Sequence, residues 1–138
     1  MSRDDVQMLK RAFDAFNRDF ATMKEGRLDG VLTSWDPELE IEQVDWPVRA
    51  TFRGYDGYRR WFTDAFASFD NVRCDPEDLI PAGDRVVVPV KISGDDHSNG
   101  VHLEVSVVLV HELRDGRILR QRIYSDRARA LREAGVPE

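Results

Sequence analysis

The stretch DGRILRQRIYSDRARALREAG, residues 115–135, decides the fold because a strand pattern and a helix pattern meet in it. Up to Ser125, apolar and polar side chains alternate with a period of two, which is typical of a half-buried strand. Asp126 then stands where a helix N-cap is expected, and Gly135 stands where a helix should end. The sequence therefore predicts that the last strand runs directly into a short C-terminal helix.

The alternation also predicts which way the arginines of this strand point. Gln121 and Ile123 share one face, and Arg120 and Arg122 share the other. Burying two unpaired guanidinium groups would cost far more free energy than burying one amide. We therefore expect the arginines to face away from the helices, which leaves an inner face that is apolar except for one amide.

Helical and strand periods divide the rest of the chain into elements. Apolar residues at spacings of three and four predict three helices, over 6–23, 27–35 and 55–69. Alternation and turn residues predict five strands, the last four in an antiparallel meander, over 38–46, 72–80, 85–93, 101–113 and 117–126. Helices first and strands later favour one α+β domain, residues 1–138, with the helices on one face of a curved sheet.

Composition and charge exclude several classes of function. With 26 acidic and 20 basic side chains the net charge is −6, so the surface should repel nucleic acid. The first residues lack a secretion signal and no stretch is long enough to cross a bilayer, so we expect a soluble, cytoplasmic protein without a membrane partner. Cys74 is the single cysteine and the three histidines are not spaced to gather, so we expect neither a disulfide nor a metal site.

Several passages, in this order along the chain, resemble one known family. They are GRLDGVLTSWDPELE (26–40), FRGYDGYRRWF (52–62), AGDRVVVPV (82–90) and LRDGRILRQRIYSDRARALREAG (113–135). Together they resemble the SnoaL-like branch of the nuclear transport factor 2-like superfamily. The resemblance implies a cystatin-like cone, in which three helices pack in a curved, mainly antiparallel sheet, with a pocket at the wide end. It also implies chemistry without a cofactor and a dimer formed on the outer sheet face.

The resemblance allows the functional residues of two related enzymes to be placed on this sequence. The tyrosine, the aspartate base and the protonated aspartate of ketosteroid isomerase fall on Asp19, Gln43 and Leu109, so none of the three is kept. The aspartate–arginine–aspartate set of limonene epoxide hydrolase meets an inner face with Val107, Leu109 and Ile123. Both departures argue against those two mechanisms in this chain.

Three residues are candidates for acid–base chemistry. Asp45 lies on the inward parity of the first strand, although it could equally be a turn residue at the strand end. Asp19 flanks the buried stripe of the first helix, and the alternative is a surface partner for Arg18 or Arg59. His111, near the end of the long strand, would titrate about neutrality if it faces inward, and otherwise it is a core histidine bonded to a backbone carbonyl.

A second set of residues is predicted to line a pocket. Aromatic side chains bury planar ligands well, although such residues are more often simply core. The inward strand positions add apolar walls and two amides that could hold an oxygen atom. The predicted substrate-binding residues are Gln43, Trp46, Tyr58, Trp61, Leu109, Gln121 and Ile123.

These residues favour a cofactor-free small-molecule enzyme, an isomerase, cyclase, dehydratase or hydrolase, that uses one carboxylate for proton transfer. The alternative is a non-catalytic ligand-binding or dimerisation module, and a third possibility is a stress-related protein of no fixed substrate. Only Asp45 with His111, or Asp19 with Asp45, could form an acid–base pair. In either reading the expected ligand is a small apolar or polycyclic oxygenated molecule.

The outer face of the sheet is predicted to form a homodimer. Val87, Val108, Val110 and Tyr124 lie there by parity, surrounded by charged residues. An apolar centre with a charged rim is the usual composition of an interface, and it would be costly to leave in water.

Overall fold

The computed structural model describes residues 2–136, in four helices and one seven-stranded mixed sheet. Among these residues, none of the helices has the length and apolar character needed to span a membrane. The helices are α1 (Arg3–Lys24), α2 (Asp29–Leu32), α3 (Gly54–Phe66) and α4 (Arg127–Glu133). The strands are β1 (Trp35–Gln43), β2 (Ala50–Arg53), β3 (Phe69–Pro76), β4 (Ile80–Ala82), β5 (Arg85–Asp96), β6 (His102–Arg114) and β7 (Arg117–Tyr124).

The strands lie in the order β2-β1-β7-β6-β5-β3, with β4 paired to β5. The predicted antiparallel meander is confirmed, since β3, β5, β6 and β7 pair in that succession. β1 joins the sheet beside β7 in parallel, a long-range pairing that no local pattern announces. β2 and β4 were not predicted, because strands of four and three residues are too short to display a period.

The predicted apolar stripe of α1 is confirmed, and it packs against α3 and the sheet. Ser2 caps the helix: its hydroxyl accepts from the Asp5 backbone N–H at 3.1 Å while the Asp5 carboxylate accepts from the Ser2 N–H at 3.2 Å. Rings of α1 and α3 meet edge to face, with Phe16 and Phe66 5.6 Å apart between centroids. The two helices thereby form one wall opposite the inner face of the sheet.

The two faces of the sheet divide as the alternation predicts. On the inner face, Val86, Val88 and Val90 of β5 are fully buried in the main core. On the outer face, Arg120 and Arg122 point away from the helices, with Arg122 Nε 3.1 Å from the Glu42 carboxylate. The alternating pattern of β7 therefore gave the correct side for both arginines.

Helix α4 covers the outer face of the sheet, and the sequence did not predict this position. α4 folds back over β5, β6 and β7, and a second apolar cluster forms beneath it around Ala130 and Leu131. The four apolar residues expected at a dimer interface are 0–4% exposed in the single chain, namely Val87, Val108, Val110 and Tyr124. The premise that this patch faces water is wrong, because α4 already shields it. The homodimer itself stays a prediction that no longer has this patch in its support.

Candidate functional site

A cavity of about 400 Å³ lies between the helices and the inner face of the sheet. Phe13 and Phe16 of α1, Tyr58 and Trp61 of α3, and inward residues of β5, β6 and β7 form its walls. A mostly apolar cavity of this size with few polar groups is typical of a small-molecule site.

The cavity has an open end and a closed end. Pro47, Asp64 and Leu103 line it and are exposed to solvent, so they mark its mouth. His111 and Gln121 also line it, but they are only 1% and 5% exposed, so they belong to the closed end.

His111 and Gln121 form a hydrogen-bonded pair because they face each other across the β6–β7 ladder. His111 Nε2 lies 2.8 Å from the Gln121 side-chain oxygen. An amide oxygen only accepts hydrogen bonds, so this contact assigns the imidazole proton to Nε2 and leaves the lone pair on Nδ1. Within the described residues, Nδ1 is buried and has no hydrogen-bond partner. Burying an acceptor without a hydrogen bond costs free energy, so a ligand that donates a hydrogen bond to Nδ1 would recover that free energy.

Burial lowers the pKa of His111 to about 4, although the hydrogen bond that its Nε2–H donates to Gln121 opposes that shift. The imidazole is therefore neutral near pH 7, and its Nδ1 can accept a hydrogen bond or a proton. His111 lines the cavity, but its pKa lies well below neutrality rather than about it, and its polar contact is a side-chain amide rather than a backbone carbonyl.

The seven residues predicted to bind a substrate all line the cavity. Tyr58 and Trp61 are buried and their rings are 5.3 Å apart, while Leu109 and Ile123 supply apolar wall from β6 and β7. Burial raises the pKa of the Tyr58 phenol, which therefore stays protonated. These residues thus give the cavity its size and its apolar character.

Gln43 and Trp46 line the cavity at the start of the segment that joins β1 to β2. We call residues 44–49 the mouth loop, because its Trp46 and Pro47 border the opening. The Gln43 side-chain nitrogen donates to the Val48 carbonyl at 2.8 Å, so this amide is committed to holding the loop.

The two carboxylates expected in the pocket lie outside it. β1 ends at Gln43, so the alternation does not continue to Asp45, whose oxygens accept from the Ser125 backbone N–H at 2.8 Å and from Arg129 at 3.4 Å. Asp19 pairs with Arg18 at 2.9 Å, and that hydrogen bond holds the Asp19 pKa below its usual range. The expectation that either carboxylate faces the cavity is wrong.

A family model for the SnoaL-like domain matches residues 9–121. The chain belongs to the SnoaL-like domain family. The family model begins within α1 and ends within β7, at Gln121. A comparison with curated proteins gives no match.

Three solved structures share the SnoaL-like cone of this chain. A nuclear transport factor 2-like protein of unknown function from Burkholderia pseudomallei is 22% identical, over 96% of this chain and 97% of that one, with a TM-score of 0.69. TerC, co-crystallised with polyporic acid, is 19% identical over 95% and 97%, with a TM-score of 0.67. A putative polyketide cyclase from Sinorhizobium meliloti is 23% identical over 80% and 93%, with a TM-score of 0.57. At these identities the likeness establishes the fold.

Sequence reasoning missed many lining residues of this SnoaL-like domain, among them Asp64, Phe13 and Cys74. Asp64 on α3 reaches the mouth, and Phe13 on α1 lies against His111 with ring centroids 6.0 Å apart. The helical stripe identified Phe13 as buried but could not distinguish core from cavity wall. Cys74 also lines the cavity, and burial raises the pKa of its thiol to about 12, so it is protonated.

No group of three His, Cys, Asp or Glu side chains within residues 2–136 gathers in a way that could hold a metal ion. The polar groups of the closed end are neutral side chains that donate and accept hydrogen bonds.

Proposed function

We propose that this protein binds an uncharged, mostly apolar small molecule that carries a hydroxyl group, and that His111 accepts the hydrogen bond of that hydroxyl at the closed end of the cone. The observation that carries the proposal is that Nδ1 of His111 is buried and has no hydrogen-bond partner among residues 2–136, while Nε2 is bonded to Gln121. A ligand hydroxyl would satisfy this acceptor and fill the surrounding apolar space.

The lining supports an uncharged ligand. No lysine or arginine is among the cavity-lining residues that the structure describes. A carboxylate or phosphate brought to the closed end would lose its hydration and gain no opposite charge, which costs several kcal/mol. The exposed Asp64 at the mouth adds repulsion against an anion.

The aromatic walls support a planar ligand of two or three fused rings. Trp61 and Tyr58 line one side of the cavity, and apolar strand residues line the other. TerC was crystallised with polyporic acid, and another structure of the same fold is named a putative polyketide cyclase. These names belong to those proteins, and they support a polycyclic oxygenated ligand class for this one.

The binding proposal is tested with three naphthalene probes, 2-naphthol, 2-methoxynaphthalene and 2-naphthoate. We expect 2-naphthol to bind best, because it alone donates to Nδ1, and 2-naphthoate to bind worst. His111→Phe should reduce 2-naphthol affinity by about tenfold, the worth of roughly one buried hydrogen bond, and leave 2-methoxynaphthalene nearly unchanged. Isothermal titration calorimetry measures each dissociation constant.

The matched control is His97→Phe, since the His97 side chain is 73% exposed and lies outside the cavity lining. It should change no probe affinity. Equal affinities for the three probes, or the same 2-naphthol affinity in the His111→Phe protein, would contradict the proposal.

A second candidate function is cofactor-independent proton transfer, with His111 as the base. The buried Nδ1, which has no hydrogen-bond partner among the described residues, supports it because its lone pair is free near pH 7, although a pKa of about 4 makes the imidazole a weak base. The carboxylates that the sequence suggested for this role are bound to Arg18, Arg129 and the Ser125 N–H instead.

Proton transfer is tested with 2-tetralone in deuterated water. His111 Nδ1 would take an α-proton from the ketone, leaving an enolate and an imidazolium. The imidazolium would exchange that proton with deuterated water and return a deuteron to the same carbon. We expect the wild-type protein to accelerate deuterium incorporation by about a hundredfold, and the His111→Phe protein to lose this acceleration. Nuclear magnetic resonance follows the exchange, and wild-type incorporation at the buffer rate would reject catalysis while leaving the binding proposal to its own test.

A further inference from the structure

We propose that Asp45 is a positioning residue that fastens the mouth loop to the start of α4, keeps Trp46 over the opening, and so sets how fast a ligand leaves the cavity. The part of this inference that concerns ligand exit rests on the binding proposed above. The part that concerns the loop does not.

The mouth loop is the side of the opening with the least regular support. It lies between the end of β1 at Gln43 and the start of β2 at Ala50, and its Pro47 and Val48 are exposed. Trp46 is half-buried and lines the cavity, so any outward movement of the loop widens the mouth.

Two hydrogen bonds hold the two ends of the loop. The Val44 N–H donates to the Ile123 carbonyl at 3.0 Å, which extends the parallel β1–β7 pairing by one step. The Gln43 side chain donates to the Val48 carbonyl at 2.8 Å and closes the loop on itself. Neither bond restrains Trp46 directly, because each lies two residues away from it.

Asp45 holds the loop next to Trp46, through contacts with Ser125 and α4. One carboxylate oxygen accepts from the Ser125 backbone N–H at 2.8 Å, and the other lies 3.4 Å from Arg129 Nη1. Ser125 lies between β7 and α4, and Arg129 belongs to α4. A half-buried carboxylate with a charged partner and a backbone donor is a stronger tether than a neutral contact.

This arrangement joins the cavity mouth to the cover of the outer face. α4 is held on the sheet by its apolar contacts, and Asp45, the residue before Trp46, ties the mouth loop to that helix. The same bonds explain why a carboxylate at this position cannot serve inside the cavity.

Tryptophan fluorescence tests the position of the loop without any ligand. Trp35 and Trp61 are 5% and 8% exposed, so Trp46 should supply most of the emission that acrylamide can reach. We expect Asp45→Ala to raise the Stern–Volmer quenching constant by about twofold or more, and Asp45→Ala with Trp46→Phe to show no rise above Trp46→Phe alone. Asp84→Ala is the matched control, because Asp84 is an exposed carboxylate in the turn between β4 and β5 and does not line the cavity.

Release of 2-naphthol tests the consequence. Stopped-flow dilution should show at least threefold faster release from the Asp45→Ala protein. Asp45→Asn retains the oxygen that accepts from Ser125 but lacks the charge that attracts Arg129, so its quenching and its release rate should lie between those of wild type and Asp45→Ala.

Unchanged quenching in the Asp45→Ala protein would overturn the proposal, whether or not 2-naphthol binds. Raised quenching with unchanged release would overturn the gating role. If wild-type protein binds none of the naphthalene probes, the binding proposal fails, and the quenching comparison still decides whether Asp45 fixes the loop.

Discussion

The two faces of the same strands differ in the polar side chains that they carry: charged on the outer face and neutral on the inner face. On β7, the outward Arg120 and Arg122 reach glutamates of the neighbouring strands, and Glu112 lies between the two arginines. The inward Gln121 bonds His111, and both side chains are neutral. The outer face holds a network of charges, and the described part of the inner face holds a few neutral polar side chains, including this pair and Gln43.

This difference indicates which face can distinguish one ligand from another. Partly exposed charges are hydrated and screened, so each outer ion pair contributes little free energy. On the inner face the surroundings exclude water, so one unsatisfied acceptor changes the affinity of a ligand by an amount that can be measured. The face with few polar groups is therefore the one able to discriminate between ligands.

The largest expected effect is a loss of stability when a substitution in α4 uncovers the apolar patch of the outer face. Leu131 of α4 is 8% exposed and packs in the cluster with Val87, Val108 and Val110. Leu131→Asp should lower the free energy of unfolding by about 3 kcal/mol, because it removes apolar burial and forces a carboxylate against the sheet. Urea unfolding measures this loss, and binding of a hydrophobic dye should rise as the valines are uncovered.

Arg127→Asp introduces the same residue into the first, exposed turn of α4, where a negative charge favours the helix dipole. It should leave the free energy of unfolding nearly unchanged. Equal stability of the two variants would mean that α4 contributes nothing to shielding the outer face.

The fold was largely predictable because the strand period is local and the helices are long. The stripe of α1 and the alternation in β5, β6 and β7 give the correct buried faces. The position of α4 was not predictable, because an outward patch of valines looks the same whether a second chain or the chain's own helix covers it. Seven helical residues carry too little pattern to say where they pack.

The candidate site was predictable where it lies within regular strands. His111, Gln121, Leu109 and Ile123 follow the pleat and line the cavity. The inward position predicted for Asp45 was wrong because the alternation was extended two residues beyond the end of β1. The alternative interpretation, a turn residue at the strand end, agrees with the structure. The bond between His111 and Gln121 could not be read from sequence, because it depends on the register between β6 and β7.

A smaller expected effect is the pH dependence of stability, which distinguishes a histidine of the inner face from one of the outer face. The pKa of His111 is lowered from 6.5 to about 4 by burial, so the unfolded chain binds a proton at a pH where the folded protein does not. His111 therefore contributes stability that is fully present above pH 6.5 and is lost as the pH falls towards 4. Between roughly pH 7 and pH 5 this amounts to about 2 kcal/mol of unfolding free energy.

Urea unfolding at several pH values separates this inner histidine from an outer one. Hydrogen bonds to Asp95 and Glu104 raise the pKa of His102, so His102 adds stability as the pH falls, but its exposure makes that contribution small. His111→Leu should abolish most of the loss between pH 7 and pH 5, whereas His102→Leu should keep the loss and make it slightly steeper. If the His111→Leu protein loses stability as steeply as wild type, the inner imidazole is not held neutral by burial, and the contrast between the two faces does not hold for histidine.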